Sequence, residues 1–166
     1  MPSFIGFVPT RPECIDGFFE LTPVSESDVV YDLGCGDGRL LFAAIEKGAG
    51  RAVGVDIDPE RILIAGEEAR KKGLENKVAF IEADVLKVNL SDASVIFCYL
   101  ISAASAALKP KFERELKPGA RVVMESFPVR GWKPERTHDI DYQTFFLYVM
   151  PPQLTEEPRP SIDFGG

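Results

Sequence analysis

The fold is decided by the stretch Val29-Val30-Tyr31-Asp32-Leu33-Gly34-Cys35-Gly36-Asp37-Gly38-Arg39. Its apolar run predicts a buried strand over 29–33, and a helical pattern begins at Leu40. Glycine at every second position lets the chain turn sharply and bring its backbone close to a ligand. The dinucleotide fingerprint Gly-x-Gly-x-x-Gly is not met, because position 39 is arginine. The stretch therefore predicts a strand, a ligand-binding glycine loop and a helix.

The rest of the chain alternates apolar strands with helical patterns. The predicted strands after the first cover 51–56, 77–82, 95–100, 120–125, 136–140 and 144–150. The last two are separated by too few residues for a crossover helix, so they form an antiparallel hairpin. Between 102 and 116 we expect two helical pieces, the second opening at Pro110. The fold class is α/β, a doubly wound, mostly parallel, Rossmann-like sheet of seven strands with a C-terminal antiparallel hairpin.

Length and composition predict a single domain with an ordinary core. The chain has 166 residues, a formal net charge of −7, one histidine and three scattered cysteines. We assign the domain to 1–150, with 1–27 covering the ligand site and 151–166 as a flexible tail. The negative charge makes nucleic acid an unlikely partner and favours a basic one. The cysteine pattern favours reduced thiols in the cytoplasm and no metal site, and no run is long enough to span a membrane.

Acidic residues stand at the ends of three consecutive predicted strands: Asp32, Asp56 and Asp84. Each alone could be a helix cap or a solvated turn residue. Together, beside a glycine loop, they predict a nucleoside ligand, because open parallel sheets bind ligands beyond the carboxyl ends of their strands. A carboxylate at Asp56 can accept hydrogen bonds from both ribose hydroxyls. So many carboxylates would repel a pyrophosphate but not a sulfonium with an ammonium group, which favours S-adenosylmethionine over NAD.

The segment 30–39 resembles motif I of class I, seven-strand S-adenosylmethionine-dependent methyltransferases. Gly54-Val55-Asp56-Ile57-Asp58 resembles their second motif, and 116–119 resembles the turn before their fifth strand. A narrower similarity, to small archaeal protein lysine methyltransferases, lies in 7–10, 99–100, 108–119 and 131–134. It implies methyl transfer to a lysine side chain in a protein. The eukaryotic relatives modify mitochondrial membrane proteins, but their membrane anchor is missing here.

The resemblance implies two groups of site residues. The cofactor-binding group is Pro9, Thr10, Asp32, Gly34, Gly36, Asp56, Ile57 and Asp84, with Asp84 on adenine. Ile57 would flank the adenine ring, or else be a buried core residue. Thr10, with Pro9, would cover the methionine end of the cofactor, and its hydroxyl could also cap the next helix. The catalytic group is Tyr99, Phe127 and Trp132, with Tyr99 bordering the transfer channel and the other two forming walls for the lysine stem.

The expected reaction is a single in-line displacement on the methyl carbon. Lysine has a reference pKa of about 10.4 and must lose a proton first. An aromatic channel lowers that pKa by desolvation, so we expect no strong general base. The alternatives are a class I methyltransferase acting on a small molecule or RNA, an NAD-binding Rossmann oxidoreductase, and a binding module without catalysis. The sequence carries no signal for the oligomeric state.

Overall fold

The computed structural model describes residues 10–99 and 102–156, with the backbone alone at 102–104. Four α-helices are present in these ranges: α1 (Pro12–Leu21), α2 (Arg39–Glu46), α3 (Pro59–Lys71) and α4 (Ser102–Glu115). A 3₁₀ turn covers Val85–Lys87. The strands are β1 (Val29–Leu33), β2 (Arg51–Asp56), β3 (Val78–Glu82), β4 (Val95–Cys98), β5 (Arg121–Glu125), β6 (Trp132–Lys133), β7 (Arg136–Ile140), β8 (Gln143–Val149) and β9 (Gln153–Leu154).

Seven of these strands form one sheet in the order β3-β2-β1-β4-β5-β8-β7. Strands β1 to β5 are mutually parallel, and β8 runs antiparallel to both β5 and β7. The predicted fold class, including the terminal hairpin, is therefore confirmed. Because the five parallel strands all end at one edge, the chain gathers Asp32, Asp56 and the end of β5 at that edge.

Two apolar clusters cover the two faces of the sheet. One contains Phe18 of α1 and Leu41 of α2, and the other contains Phe112 of α4. All three side chains are at most 1% exposed. Burial on both faces is why the parallel strands read as continuous apolar runs instead of alternating ones. The helices thus leave only the strand ends and their loops for a site.

The α4 helix runs without interruption through Pro110, so the predicted division into two pieces is wrong. Proline inside a helix costs about 3 kcal/mol, because it removes a donor and meets the preceding turn. Leu108 and Phe112 lie one turn apart around it, and both are fully buried. Burial of two such side chains contributes about 3–6 kcal/mol. Tertiary packing therefore outweighs the local preference.

The start of the predicted flexible tail is paired with the rest of the protein. Gln153–Leu154 forms a two-stranded antiparallel sheet with Trp132–Lys133. The amide of Thr155 also donates to the carbonyl of Gly131 at 3.0 Å. The prediction missed this pairing because two residues are too short to show a strand period. The segment 157–166 lies outside the described residues.

Candidate active site

The glycine loop after β1 is folded back onto the end of β2. Gly34, Gly36 and Gly38 have φ values of 93°, 55° and 83°, in the left-handed region that favours glycine. The amide of Gly34 donates to the carbonyl of Val55 at 2.7 Å, and that of Gly36 donates to Asp56 Oδ2 at 2.9 Å. The loop uses these amides inside the protein. Its glycines therefore serve a ligand by the backbone approach they permit.

Asp56 is held at the end of β2 and is only 5% exposed. Its Oδ2 accepts from the amide of Gly36, and its Oδ1 accepts from the amide of Asp58 at 3.0 Å. Each carboxylate oxygen has about two acceptor positions, so both oxygens keep capacity for a further donor. One side chain thus fixes the glycine loop and can still accept from paired hydroxyls.

Asp32, at the fourth position of β1, is a buried carboxyl group among other carboxyl groups. Burial, with Asp56, Glu125 and Asp37 as negative neighbours, raises the pKa of Asp32 to about 8. Removing a carboxylate from water is costly unless a positive partner compensates. A cationic ligand would supply that partner, whereas a phosphate would add to the repulsion. The charge pattern at this edge therefore fits a sulfonium and ammonium ligand.

Thr10, predicted to lie near the methionine end of the cofactor, is linked through Arg39 to the end of the glycine loop. Arg39 reaches from the start of α2 to the carbonyl of Thr10 at 3.5 Å, while its guanidinium pairs with Asp37 at 2.6 Å. The cap residue of α1 is Arg11, and it makes no side-chain cap bond. The predicted capping role of the Thr10 hydroxyl is therefore wrong. Pro9 lies outside the described residues.

Asp84 and Ile57 occupy the loops beyond β3 and β2. The Asp84 carboxylate accepts from the amide of Leu86 at 2.9 Å and caps the 3₁₀ turn. Ile57 follows Asp56 directly and is 73% exposed. This exposure rules out the alternative that Ile57 is a buried core residue. An apolar side chain beside a carboxylate that can bind ribose is well placed to contact an aromatic base.

Tyr99 and Phe127 lie at the ends of the next two strands. Tyr99 directly follows β4 and is 40% exposed, and Phe127 stands two residues after β5 and is 36% exposed. Between β5 and Phe127, Ser126 has a φ of 68°, so the chain turns sharply there. The structure thus brings these two aromatic side chains to the same edge as the carboxylates.

Trp132, the third predicted catalytic residue, lies in the core. It belongs to β6 instead of an irregular loop, and it is 2% exposed. Its ring centroid is 5.4 Å from that of Tyr148 and 6.4 Å from that of Phe112. Its Nε1–H donates to Glu113 at 3.2 Å. With its faces and its polar atom occupied, Trp132 has no surface for a lysine stem, and the predicted wall role does not fit.

Glu125, the last residue of β5, was not among the predicted site residues. It is 3% exposed, and one oxygen accepts from Nε2 of Gln143. The other oxygen, Oε2, has no hydrogen-bond partner among the described residues. Burial raises the pKa of Glu125 to about 7, against a lowering effect from Arg11. The signal was available: an acidic residue ends this strand just as Asp56 ends β2.

Two kinds of site are absent from the ranges 10–99 and 102–156. No group of three or more histidine, cysteine, aspartate or glutamate side chains there could hold a metal ion. Nor does any helix in those ranges have the length and apolar character needed to cross a membrane. Cys14, Cys35 and Cys98 are buried free thiols.

Comparison with known proteins shows that most of the chain is similar to methyltransferases. A family profile described as the ANTKMT methyltransferase domain matches residues 32–136. A protein-lysine N-methyltransferase of Saccharolobus islandicus is 38% identical over 151 residues, which is 88% of this chain and 94% of that protein. An adenine nucleotide translocase lysine N-methyltransferase of Mus musculus is 35% identical over 105 residues, which is 63% of this chain but 46% of that protein.

A solved structure is similar over nearly the whole fold. It is described as an RNA methyltransferase from Salinibacter ruber in complex with S-adenosyl-L-homocysteine. It is 35% identical, with a TM-score of 0.85, and the match covers 90% of this chain and 98% of that chain. The similar proteins therefore agree on methyl transfer, while their names differ on the acceptor.

Proposed function

We propose that the protein methylates the side-chain amine of lysine in protein substrates. The chain belongs to the family of the ANTKMT methyltransferase domain, and it uses S-adenosylmethionine as methyl donor. The observation that carries the lysine acceptor is the 38% identity to a protein-lysine N-methyltransferase along 94% of its length. The net charge of −7 supports a basic protein as the substrate. A cytoplasmic location, based on the three scattered cysteines, is part of the same proposal.

In this proposal the β1–β2 half of the edge binds the donor. Asp32 faces the ammonium group, Gly34 and Gly36 leave room for the methionine part, and Thr10 covers it. The two Asp56 oxygens accept from the ribose hydroxyls. Two observations support this assignment. Asp32 is buried among negatively charged neighbours, and both oxygens of Asp56 can accept a further hydrogen bond.

The base of the donor lies between β2 and β3 in the same proposal. Asp84 accepts from the adenine amino group, and Ile57 packs on the ring. Asp84 keeps acceptor capacity beyond its bond to Leu86, and the Ile57 side chain is exposed and therefore available.

The acceptor lysine enters at the ends of β4 and β5. Tyr99 and Phe127 provide apolar surface for its methylene stem, and Trp132 is left out because it is buried. When bound, S-adenosylmethionine supplies a methyl group already activated by the sulfonium. The protein therefore has to align the amine with that methyl group and keep its lone pair free.

An RNA acceptor is the second candidate, and the Salinibacter ruber structure is the observation in its favour. Sequence-independent RNA affinity needs Lys and Arg on the phosphates. This chain has 19 Lys and Arg against 26 Asp and Glu. We therefore rank RNA below protein.

Isotope-labelled S-adenosylmethionine tests the proposal. The protein is incubated separately with a set of basic proteins, with structured RNA and alone, and each product is digested and analysed by mass spectrometry. We expect label on lysine Nζ, and much less label with the Asp56→Asn variant, whose ribose contact is weakened, when S-adenosylmethionine is kept near its wild-type Kd. Label confined to RNA or to small molecules would overturn the lysine acceptor while leaving the methyltransferase assignment intact.

A further inference from the structure

Glu125 carries a second inference, which rests on the proposed function. We infer that Glu125 Oε2 receives the ammonium group of the acceptor lysine and takes its proton before methyl transfer. This makes Glu125 a catalytic residue that was not among the predicted site residues. It also replaces the sequence-based expectation that the site has no general base.

Strand register places Glu125 on the acceptor side of the edge, at the end of β5. Cys98 pairs with Met124, so the following residues, Tyr99 and Glu125, lie side by side. Asp32, Phe97 and Val123 pair in a row across β1, β4 and β5. Side chains alternate along a strand, so Glu125 shares the face of Asp32. Two buried carboxylates thus lie on one face of the sheet, on either side of β4.

Among the described residues, the hydrogen bonds around Glu125 leave its Oε2 without a donor. The amide oxygen of Gln143 accepts from Arg11 Nη2 at 2.7 Å and from Cys14 Sγ at 3.1 Å. The Gln143 amide is therefore oriented with its NH₂ group toward Glu125. Arg11 acts through Gln143, and the structure shows no ion pair between Arg11 and Glu125. A buried carboxylate oxygen without a partner is costly, so the Oε2 position is completed by a donor that binds there.

The proton affinities of the two groups are suited to exchange. Among the described residues, the charged and titratable groups that interact with Glu125 are Arg11 just before α1, Cys14 of α1 and Asp32 of β1. Arg11 is itself paired with Asp141 at 2.7 Å. Burial raises the pKa of Glu125 to about 7. Desolvation beside Tyr99 and Phe127 lowers that of an entering lysine from its reference value of about 10.4. The two values approach each other, which is the condition for efficient proton transfer.

The step balances without a further reactant. One N–H bond of the lysine ammonium breaks and an O–H bond forms on Glu125 Oε2, leaving a neutral amine. The amine lone pair then forms the N–C bond to the methyl group as the S–C bond breaks. The electron pair of the broken S–C bond stays on sulfur, and the lysine nitrogen becomes a methylammonium. Glu125 afterwards releases its proton to water.

The Glu125→Gln variant tests this role. The new amide oxygen can still accept from Gln143, so Gln143 keeps its hydrogen bond from Arg11. The amide cannot take a proton from lysine. We expect kcat on a substrate protein to fall about 100-fold at pH 7, with cofactor affinity changed by no more than about twofold. Glu13→Gln removes an exposed charge from α1 and is the matched control.

The pH profile separates catalysis from a merely structural role. Wild-type kcat rises as Glu125 ionises, and the variant lacks this limb. The ratio of the two rates should shrink toward one above about pH 10.4, because most of the free lysine is then neutral. A loss that is equal at all pH values, or an equal loss of cofactor affinity, would overturn the role, and so would a variant with full activity.

A titration independent of turnover completes the test. The side-chain carboxyl carbon of Glu125, assigned by its absence in Glu125→Gln, is followed by ¹³C NMR with S-adenosylhomocysteine bound. Adding n-butylammonium should lower the pH midpoint of the Glu125 titration, because a bound cation stabilises the carboxylate. An unchanged midpoint argues against an ammonium site at Glu125. If the wild type labels no lysine at all, the proposed function fails and this role with it. If lysine is labelled equally by both proteins, only the Glu125 role fails.

Discussion

Asp56 at the end of β2 and Glu125 at the end of β5 are both buried carboxylates at one edge of the sheet, but their oxygens have different partners. Both oxygens of Asp56 accept backbone amides from the glycine loop and from the start of α3. Glu125 has one oxygen on Gln143 and one without a partner among the described residues. In the proposed function, folding therefore assembles the donor half of the site, whereas the acceptor half is completed when a substrate supplies a hydrogen-bond donor.

Asp56→Ala should give the largest effect, because it removes the side-chain contact between the glycine loop and β2. The Gly36 and Asp58 amides would lose charge-assisted bonds, at a cost of about 3 kcal/mol in unfolding free energy. If binding loses a similar amount, cofactor affinity falls about 100-fold. Calorimetric titration with S-adenosylhomocysteine and urea unfolding measure the two losses. Asp92→Ala, at an exposed side chain before β4 with no assigned part in the site, is the control. Normal affinity in Asp56→Ala would contradict a preassembled donor half.

Asp32→Asn should weaken cofactor binding and yet stabilise the free protein. The pKa of Asp32 is about 8 in the folded protein, against about 3.9 in an unfolded chain. Between these values the folded state holds a proton that the unfolded state has released, so wild-type stability falls as pH rises from about 4 to about 8. Asparagine removes that slope and also one charge-assisted bond to the cofactor, which costs about 30-fold in affinity.

Unfolding midpoints of wild type and Asp32→Asn at several pH values, without cofactor, check this prediction. The variant should gain on the wild type steadily as pH rises, and the exposed Asp92→Asn should not. A variant that is less stable than the wild type at pH 8 would show that Asp32 already has a compensating partner.

Features that depend on residues close together in the chain were predicted from the sequence better than features that depend on residues far apart in it. The glycine loop and the terminal hairpin depend on residues close in the chain, and they were predicted correctly. The continuous α4 helix depends on what Leu108 and Phe112 pack against, and local proline chemistry gave the wrong answer. Trp132 was misplaced for the same reason, because its burial depends on partners distant in the chain.

In the candidate site, too, residues with a local sequence signal were predicted, whereas Glu125 was not. The positions of Asp32 and Asp56 at the ends of β1 and β2 were predictable, because an apolar run that stops at an acidic residue is a local pattern. The significance of Glu125 depends on Gln143, which reaches it only through the antiparallel pairing of β5 and β8. Its place at a strand end was visible in the sequence, but its unpaired oxygen was not.

Phe127→Ala and Trp132→Phe form a matched pair from one segment, one side chain exposed and the other buried. Phe127→Ala should raise KM for the substrate protein about tenfold, from about 1.5 kcal/mol of lost apolar contact, with little change in stability. Trp132→Phe should lower the unfolding free energy by about 2 kcal/mol, through lost packing and the lost bond to Glu113. Its KM should stay at the wild-type value. A raised KM in a stably folded Trp132→Phe protein would return Trp132 to the acceptor site.

Ile57→Ala should give the smallest effect, and it tests the outer limit of the donor half. Because Ile57 is 73% exposed, the free protein gains nothing from this side chain, and stability should not change. If the adenine ring covers part of it, the variant loses about 0.7 kcal/mol of binding, or about threefold in cofactor affinity. Leu154→Ala, at a side chain that is 70% exposed and outside the edge, should leave affinity unchanged. Equal affinity in both variants would mean that the donor half ends at Asp56, with the base held by the β3 loop alone.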